Sequence, residues 1–149
     1  MNINFPISSI LVHKTSALWF IAPEASVFEA IKLMADKDIG SLLVMTGEHL
    51  VGVFSERDYA RKVALQGKNS RETRVADVVR QEVVTVTPAD SVEDCMRLMT
   101  ENRVRHLPVV EGATVVGIIS IGDLVNWIIS TQNAAIEQME QYIAGGIPG

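Results

Sequence analysis

The chain has 149 residues, 48% of them hydrophobic, and a formal net charge of −5. At roughly 100–200 residues per domain, this suffices for one compact domain or for two small halves sharing a core. The acidic balance argues against a nucleic-acid partner, whose backbone selects for a basic patch or stripe, and leaves room for a small anion held by a few local Arg and Lys.

Met1 to Phe5 carries no positive segment ahead of an apolar run, so no signal peptide is expected. No uninterrupted apolar run approaches about 18 residues, so no transmembrane helix is expected either. The lone Cys95 has no partner for a disulfide and no Cys or His at metal-ligand spacing. That pattern suits a reducing compartment, and the expected location is the cytoplasm.

Two stretches superpose without a gap. Pro23 falls on Pro88, Val27 on Val92, Leu33-Met34 on Leu98-Met99, Gly52 on Gly117, Ser55 on Ser120 and Asp58 on Asp123, always 65 residues apart. A constant shift over that length marks one structural unit used twice. The chain divides accordingly into a first repeat at 7–66, a linker at 67–74, a second repeat at 75–129, and a helical extension and tail at 130–149.

Leu18 to Ile21 is a short β-prone run closed by Pro23, and Val83 to Val86 repeats it ahead of Pro88. Ser26 and Ser91 stand where a helix N-cap would, with Glu29 and Asp94 three residues later in the style of a capping box. Val27, Ala30, Ile31 and Met34 follow at helical spacing, and Val92, Cys95, Met96 and Met99 repeat them. Each copy therefore predicts a helix with one buried face, on which Cys95 takes the place of Ala30. Ser41 to Met45 and His106 to Val110 are apolar runs that turn at Gly47 and Gly112, and Leu50 to Phe54 and Val115 to Ile119 complete two hairpins.

Each half thus reads β-α-β-β-α, an α/β (α+β) arrangement. Two short, half-exposed sheets need one another to bury their faces, so a pseudo-twofold pair is expected. Between the copies, Gly67, Lys68, Asn69 and Ser70 are polar and aperiodic, and Val75, Val78 and Val79 begin a short element leading into the second copy. At the far end, Leu124, Ile128, Ala135, Met139 and Tyr142 predict an amphipathic helix much longer than its first-copy counterpart, stopped by Gly145-Gly146. The extra length either packs on its own domain or contributes to a dimer contact.

Each copy ends in Gly-x-x-Ser-x-x-Asp, with Ser and Asp just past the last strand where a helix begins. At such a corner an Asp can reach a hydroxyl pair while the Ser and nearby amides point at an anion, an arrangement suited to a nucleotide. The other role open to both residues is helix capping. His13, His49 and His106 form no zinc-type spacing and no Gly-x-Ser-x-Gly is present, so neither a metal site nor a catalytic residue is expected, and the protein reads as a non-enzyme.

The run Arg103-Val104-Arg105-His106-Leu107-Pro108-Val109-Val110, followed by Gly117-Ile118-Ile119-Ser120-Ile121-Gly122-Asp123, resembles cystathionine-β-synthase (CBS) domains. So does Gly52-Val53-Phe54-Ser55-Glu56-Arg57-Asp58, and the resemblance extends from about Ile7 to about Ile129, as in a stand-alone CBS pair or Bateman module. It implies adenine-nucleotide binding in clefts between the repeats, with the motif Asp on the ribose hydroxyls, the Ser on ribose or phosphate, and the residue after Gly along the adenine. Carried onto this chain, one site takes Val53, Ser55, Arg57 and Asp58 with Gln81, Val83, Val104 and Arg105 from across the pair. The other takes Ile118, Ser120 and Asp123 with Lys14, Ser16, Ile39, Gly40 and His106. Arg57, Arg105 and His106 are the phosphate candidates, joined by Arg61 one turn after Arg57.

The implied ligand is AMP or another adenosine compound such as ADP, ATP, NAD(H) or S-adenosylmethionine, with no catalytic cofactor. Because Arg57 stands opposite Gly122, and Arg105-His106 opposite Gly40-Ser41, the two sites should differ in affinity or ligand. The implied role is that of a ligand or energy sensor in signal transduction, working as a flat homodimer of CBS pairs toward an unidentified protein target. The competing reading is an interaction scaffold or regulatory subunit with vestigial clefts. It would show plugged clefts and an exposed apolar stripe on the long helix.

Overall fold

The computed structural model describes residues 4–14, 18–80 and 82–141. The first repeat runs from α1 (Ser8–Leu11) through β1 (Phe20–Ile21), α2 (Val27–Lys37), β2 (Ser41–Thr46) and β3 (His49–Ser55) to α3 (Glu56–Tyr59), which continues as a π-helical turn over Ala60–Ala64. A 3-10 turn at Val75–Asp77 leads to α4 (Val92–Asn102), β4 (His106–Glu111), β5 (Thr114–Ser120) and α5 (Ile121–Gln141). These elements form two small sheets with helices, and the halves pack as a pseudo-twofold pair.

Both serines cap as the spacing indicated, and the reciprocal box forms at Ser91 while Ser26 caps through its hydroxyl. The Ser26 hydroxyl accepts the Glu29 amide at 3.1 Å, and the Ser91 hydroxyl accepts the Asp94 amide at 3.0 Å while the Asp94 carboxylate accepts the Ser91 amide at 3.3 Å. From these starts, α2 buries Val27, Ala30 and Met34, and α4 buries Val92, Cys95 and Met99. Burial, reinforced by Asp90 and Asp94, pushes the Cys95 thiol up to about 12, so it serves as an apolar core group.

The two hairpins share register and irregularity: β2 pairs antiparallel with β3 and breaks step at Val44/Met45, and β4 pairs with β5 and breaks at Val109/Val110. They differ at the outer edge. In the first repeat the Leu43 amide donates to Trp19 O at 3.2 Å, and β1 joins β2 in a three-stranded sheet. In the second repeat Pro108 holds the place of Leu43 and has no N–H to give. The strand expected over Val83 to Val86 is therefore reduced to a single parallel bridge between Val86 and Val109.

The two cores are closed by segments that cross over. Ile7 and Ile10 of the N-terminal arm are buried with Val86, Val92, Cys95, Leu107, Ile119 and Leu124 in the core of the second repeat. Val75 and Val78, which precede the second repeat, are buried with Val27, Met34, Phe54 and Val63 in the core of the first. The same segments cap the helices they cover. Phe5 O accepts the Val92 amide at 2.8 Å, and the linker carbonyls of Ser70 and Thr73 accept the amides of Phe28 and Val27 at 2.9 and 2.8 Å.

Along α5, Leu124 is buried and Ile128 packs against the second core, whereas every residue from Gln132 to Gln141 is exposed. Ala135 and Met139, expected on a packed face, thus lie on a helix that projects from the body. Tyr142 and Gly145-Gly146 lie outside the described residues. Among the described residues, no helix is long and apolar enough to cross a membrane.

The crossing segments also account for the motif glycines. A Cβ on Gly52 would stand 2.4 Å from Val79 Cγ1 and 3.3 Å from Arg80 O, while one on Gly117 would meet Leu11 Cδ2 at 3.1 Å. Valine is stiff about χ1 and backbone cannot withdraw, whereas the tip of a leucine can. Gly52→Ala is expected to destabilise the protein by about 1–3 kcal/mol through overpacking, and Gly117→Ala by less, as read by urea unfolding of the two variants.

Candidate functional site

Both motif corners are built as capping boxes. At the first, the Asp58 amide donates to Ser55 Oγ at 3.2 Å and Asp58 Oδ2 accepts the Ser55 amide at 3.0 Å. At the second, the Asp123 amide donates to Ser120 Oγ at 3.1 Å and Asp123 Oδ2 accepts the Ser120 amide at 2.8 Å. The helix beginning at each corner is tied to the start of the hairpin, since the Glu56 amide donates to Gly40 O at 3.1 Å and the Ile121 amide to Arg105 O at 2.9 Å. Capping uses Oδ2 of each carboxylate and leaves Oδ1 outside the cap.

Around Asp123 the halves enclose a cavity of about 370 Å³, within the range of small-molecule sites. Lys14, Ile39, Gly40, His106, Ile118, Ser120 and Asp123 all line it, so the structure brings together seven of the eight residues assigned to this site from the sequence. The eighth, Ser16, lies outside the described residues. Leu18, Trp19 and Leu43 add apolar wall that sequence reasoning missed. Leu18 could have been found, because it is the repeat counterpart of Val83.

The electrostatics of this cleft centre on Lys14. Its ammonium donates to Asp123 Oδ2 at 2.8 Å and to Ile118 O at 2.6 Å. Burial alone would raise the Asp123 carboxyl, but the bonds from Lys14 and Ser120 outweigh it and hold the group below the usual carboxylate range. His106, half-buried in the same wall, is pushed below its ordinary 6.5 by burial and by Lys14 against the opposing pull of Asp123 and Asp58.

The Asp58 corner differs. Asp58 Oδ1 faces Lys62 Nζ at 3.5 Å on its own helix, and Arg61, Arg105 and Arg103 surround Arg57 closely enough that their repulsion, Arg61 foremost, lowers its pKa. Ser55, Arg57, Asp58 and Arg105 therefore share one cationic surface. Val53 lies in β3 opposite Leu43, and Val104 packs on the second core. Val83, assigned here from the sequence, instead lines a separate cavity of about 910 Å³ between the hairpin tips with Gly47, Leu50 and Gly112, which contains neither Ser55 nor Asp58. Without the Pro108 amide, the segment around Val83 is not held to β4 as its counterpart is held to β2. Gln81 lies outside the described residues.

The CBS domain family model matches residues 8–65 and again 75–130. The chain belongs to the CBS domain family. This CBS pair is 38% identical over 136 residues to the mitochondrial CBS domain-containing protein CBSX3 of Arabidopsis thaliana, covering 88% of this chain and 66% of that protein. It is 31% identical to the CBS domain-containing protein YhcV of Bacillus subtilis, covering 93% of this chain and 91% of that one. Among solved structures it superposes on a candidate signal-transduction protein with CBS domains from Burkholderia ambifaria with a TM-score of 0.80 and 46% identity, covering 85% of this chain and 95% of that one. It also matches a hexameric CBS-CP12 protein from bloom-forming cyanobacteria with a TM-score of 0.74 and 28% identity, over 98% of this chain and 91% of that one. CBS pairs of this stand-alone kind are associated with regulation and signal transduction.

The lowered pKa of His106 has a consequence for stability. A group with a folded-state value below its unfolded value contributes stability that is present above the unfolded pKa and lost as pH falls through the folded one. Between pH 7.5 and 5, wild-type protein is expected to lose more thermal stability than His106→Gln, with the two profiles diverging below about 6.5. Parallel profiles in scanning calorimetry would remove His106 from this account.

Proposed function

We propose that this CBS pair is a non-enzymatic sensor that binds adenine nucleotides between its repeats and passes their presence to a partner in signal transduction. The observation that carries this reading is the cleft at Asp123, where seven residues from both repeats, among them this carboxylate, a hydroxyl, a histidine and a lysine, line one cavity. AMP is the first ligand to test, followed by ADP, ATP, NAD(H) and S-adenosylmethionine. Asp58, with its surrounding arginines, forms a second and more cationic site. The lone buried Cys95 fits a reducing compartment, and we place the protein in the cytoplasm, noting that the Arabidopsis relative carries "mitochondrial" in its name. Neither nucleic acid nor membrane is a partner in this reading.

Asp58→Asn and Asp123→Asn keep an acceptor for the cap while removing the charge that takes two ribose hydroxyls. Each is expected to weaken its own site by about ten- to a hundredfold, in line with hydrogen bonds to a charged group. Calorimetric titration with AMP, using guanosine monophosphate as control, checks this, and unchanged affinity would take the carboxylates out of the site.

One observation favours association as well. Val125, Ile129, Ile136 and Met139 form a stripe at coiled-coil spacing along α5, each 41% to 64% exposed. We assign this stripe to a homodimer of CBS pairs, while the same feature supports the scaffold reading if nucleotide fails to bind. Ile129→Lys combined with Ile136→Lys is expected to halve the mass in light scattering with the fold retained.

A further inference from the structure

The Asp123 carboxylate already holds a cation. Its Oδ2 accepts both the Ser120 amide and the Lys14 ammonium, and a ribose diol, with two hydroxyls to donate, needs both carboxylate oxygens. Lys14 and Asp123 are each only 25% exposed, so this pair is less screened than an exposed ion pair. It is particular to this site. The repeat counterpart of Lys14 is Val79, and among the described residues the ion-pair partner of Asp58 is Lys62 of its own helix, at 3.5 Å.

Lys14 is also the single Lys or Arg among the described residues lining the cleft, against the carboxylates of Asp38 and Asp123. His106 supplies no fixed positive charge there, its pKa being held down. An anion entering the cleft therefore has one permanent cation to meet. Space exists for that cation to move, because the Lys14–Asp123 pair also borders a second cavity of about 560 Å³ lined by Ile10, His13, Asn126, Trp127 and Ser130.

We infer that Lys14 makes the Asp123 cleft selective for adenine nucleotides with an anionic 5′ group, by exchanging the carboxylate for the ligand's phosphate as the ribose hydroxyls take Asp123. A nucleotide replaces the broken ion pair with a new one. Adenosine strands the ammonium without a counter-charge, and S-adenosylmethionine brings a sulfonium toward it, so both bind less well. The inference rests on the nucleotide reading above and specifies which nucleotides it covers.

The test is calorimetric titration of the full chain with AMP, adenosine and S-adenosylmethionine in an Asp58→Asn background, so that the heat reports the Asp123 cleft. The unaltered lysine is expected to favour AMP over adenosine by at least about tenfold, on the scale of a charge-assisted hydrogen bond. Lys14→Met is expected to weaken AMP and tighten adenosine, collapsing that preference, and Lys14→Arg to restore it. Lys14→Gln serves in place of Lys14→Met should the latter melt below the titration temperature. Measurable binding with an unchanged AMP-to-adenosine ratio across the variants would overturn the exchange alone. Absence of binding by all three ligands in every variant would overturn it together with the nucleotide reading.

Discussion

The interaction on which the rest of this structure depends is the exchange of closing segments between the repeats. Ile7 and Ile10 complete the second core, and Val75 and Val78 complete the first. Fully burying one such aliphatic side chain is worth about 1.5–3 kcal/mol, so neither half retains its core if the crossing is undone. The crossing also dictates local sequence. It favours glycine most strongly at position 52, under Val79 and the Arg80 carbonyl, and less at 117, where the tip of Leu11 can give way, and it delivers Lys14 to Asp123 and the Val78 carbonyl to Lys62 at 3.2 Å.

On this shared frame the two corners carry different electrostatics. Capping is common to both and consumes the same oxygen of each Asp. What surrounds that oxygen is not common. The Asp123 corner lies in an enclosed cleft with two carboxylates and one lysine, while the Asp58 corner lies among Arg57, Arg61, Arg103 and Arg105. A duplicated backbone has thus acquired two charge environments through substitutions that leave the register intact. The ligand preferences proposed for the two corners follow from that difference.

Much of this was legible in the sequence because the repeat is internal. The 65-residue shift sets one copy's elements against the other's, and the caps at Ser26 and Ser91, the hairpins and the motif corners stand where it places them. Seven of the eight residues assigned to the Asp123 site meet in one cleft. What escaped is non-local. Ile7 and Ile10 lie at the start of and within a four-residue helix too short for a periodicity signal, and Lys14 was assigned to the Asp123 site through the family resemblance, with no local pattern pointing to its ion pair 109 residues away. Val83 lines the cavity between the hairpin tips, and the repeat analogy hides a chemical difference beside it, the amide missing at Pro108. The capping role of the motif Asp was weighed from the sequence as an alternative to ligand binding. In the structure both carboxylates cap through one oxygen, which leaves the other outside the cap.

The central claim is that the Asp123 cleft receives an adenine nucleotide, and the most direct test is a titration of isotope-labelled protein with AMP followed by amide correlation spectra. The account expects saturable shifts concentrated at Ile39, Gly40, His106, Ile118, Ser120 and Asp123, with the hairpin-tip residues Gly47 and Gly112 unmoved. Spectra that stay unchanged at saturating AMP, or shifts confined to the cavity between the hairpin tips, would contradict it.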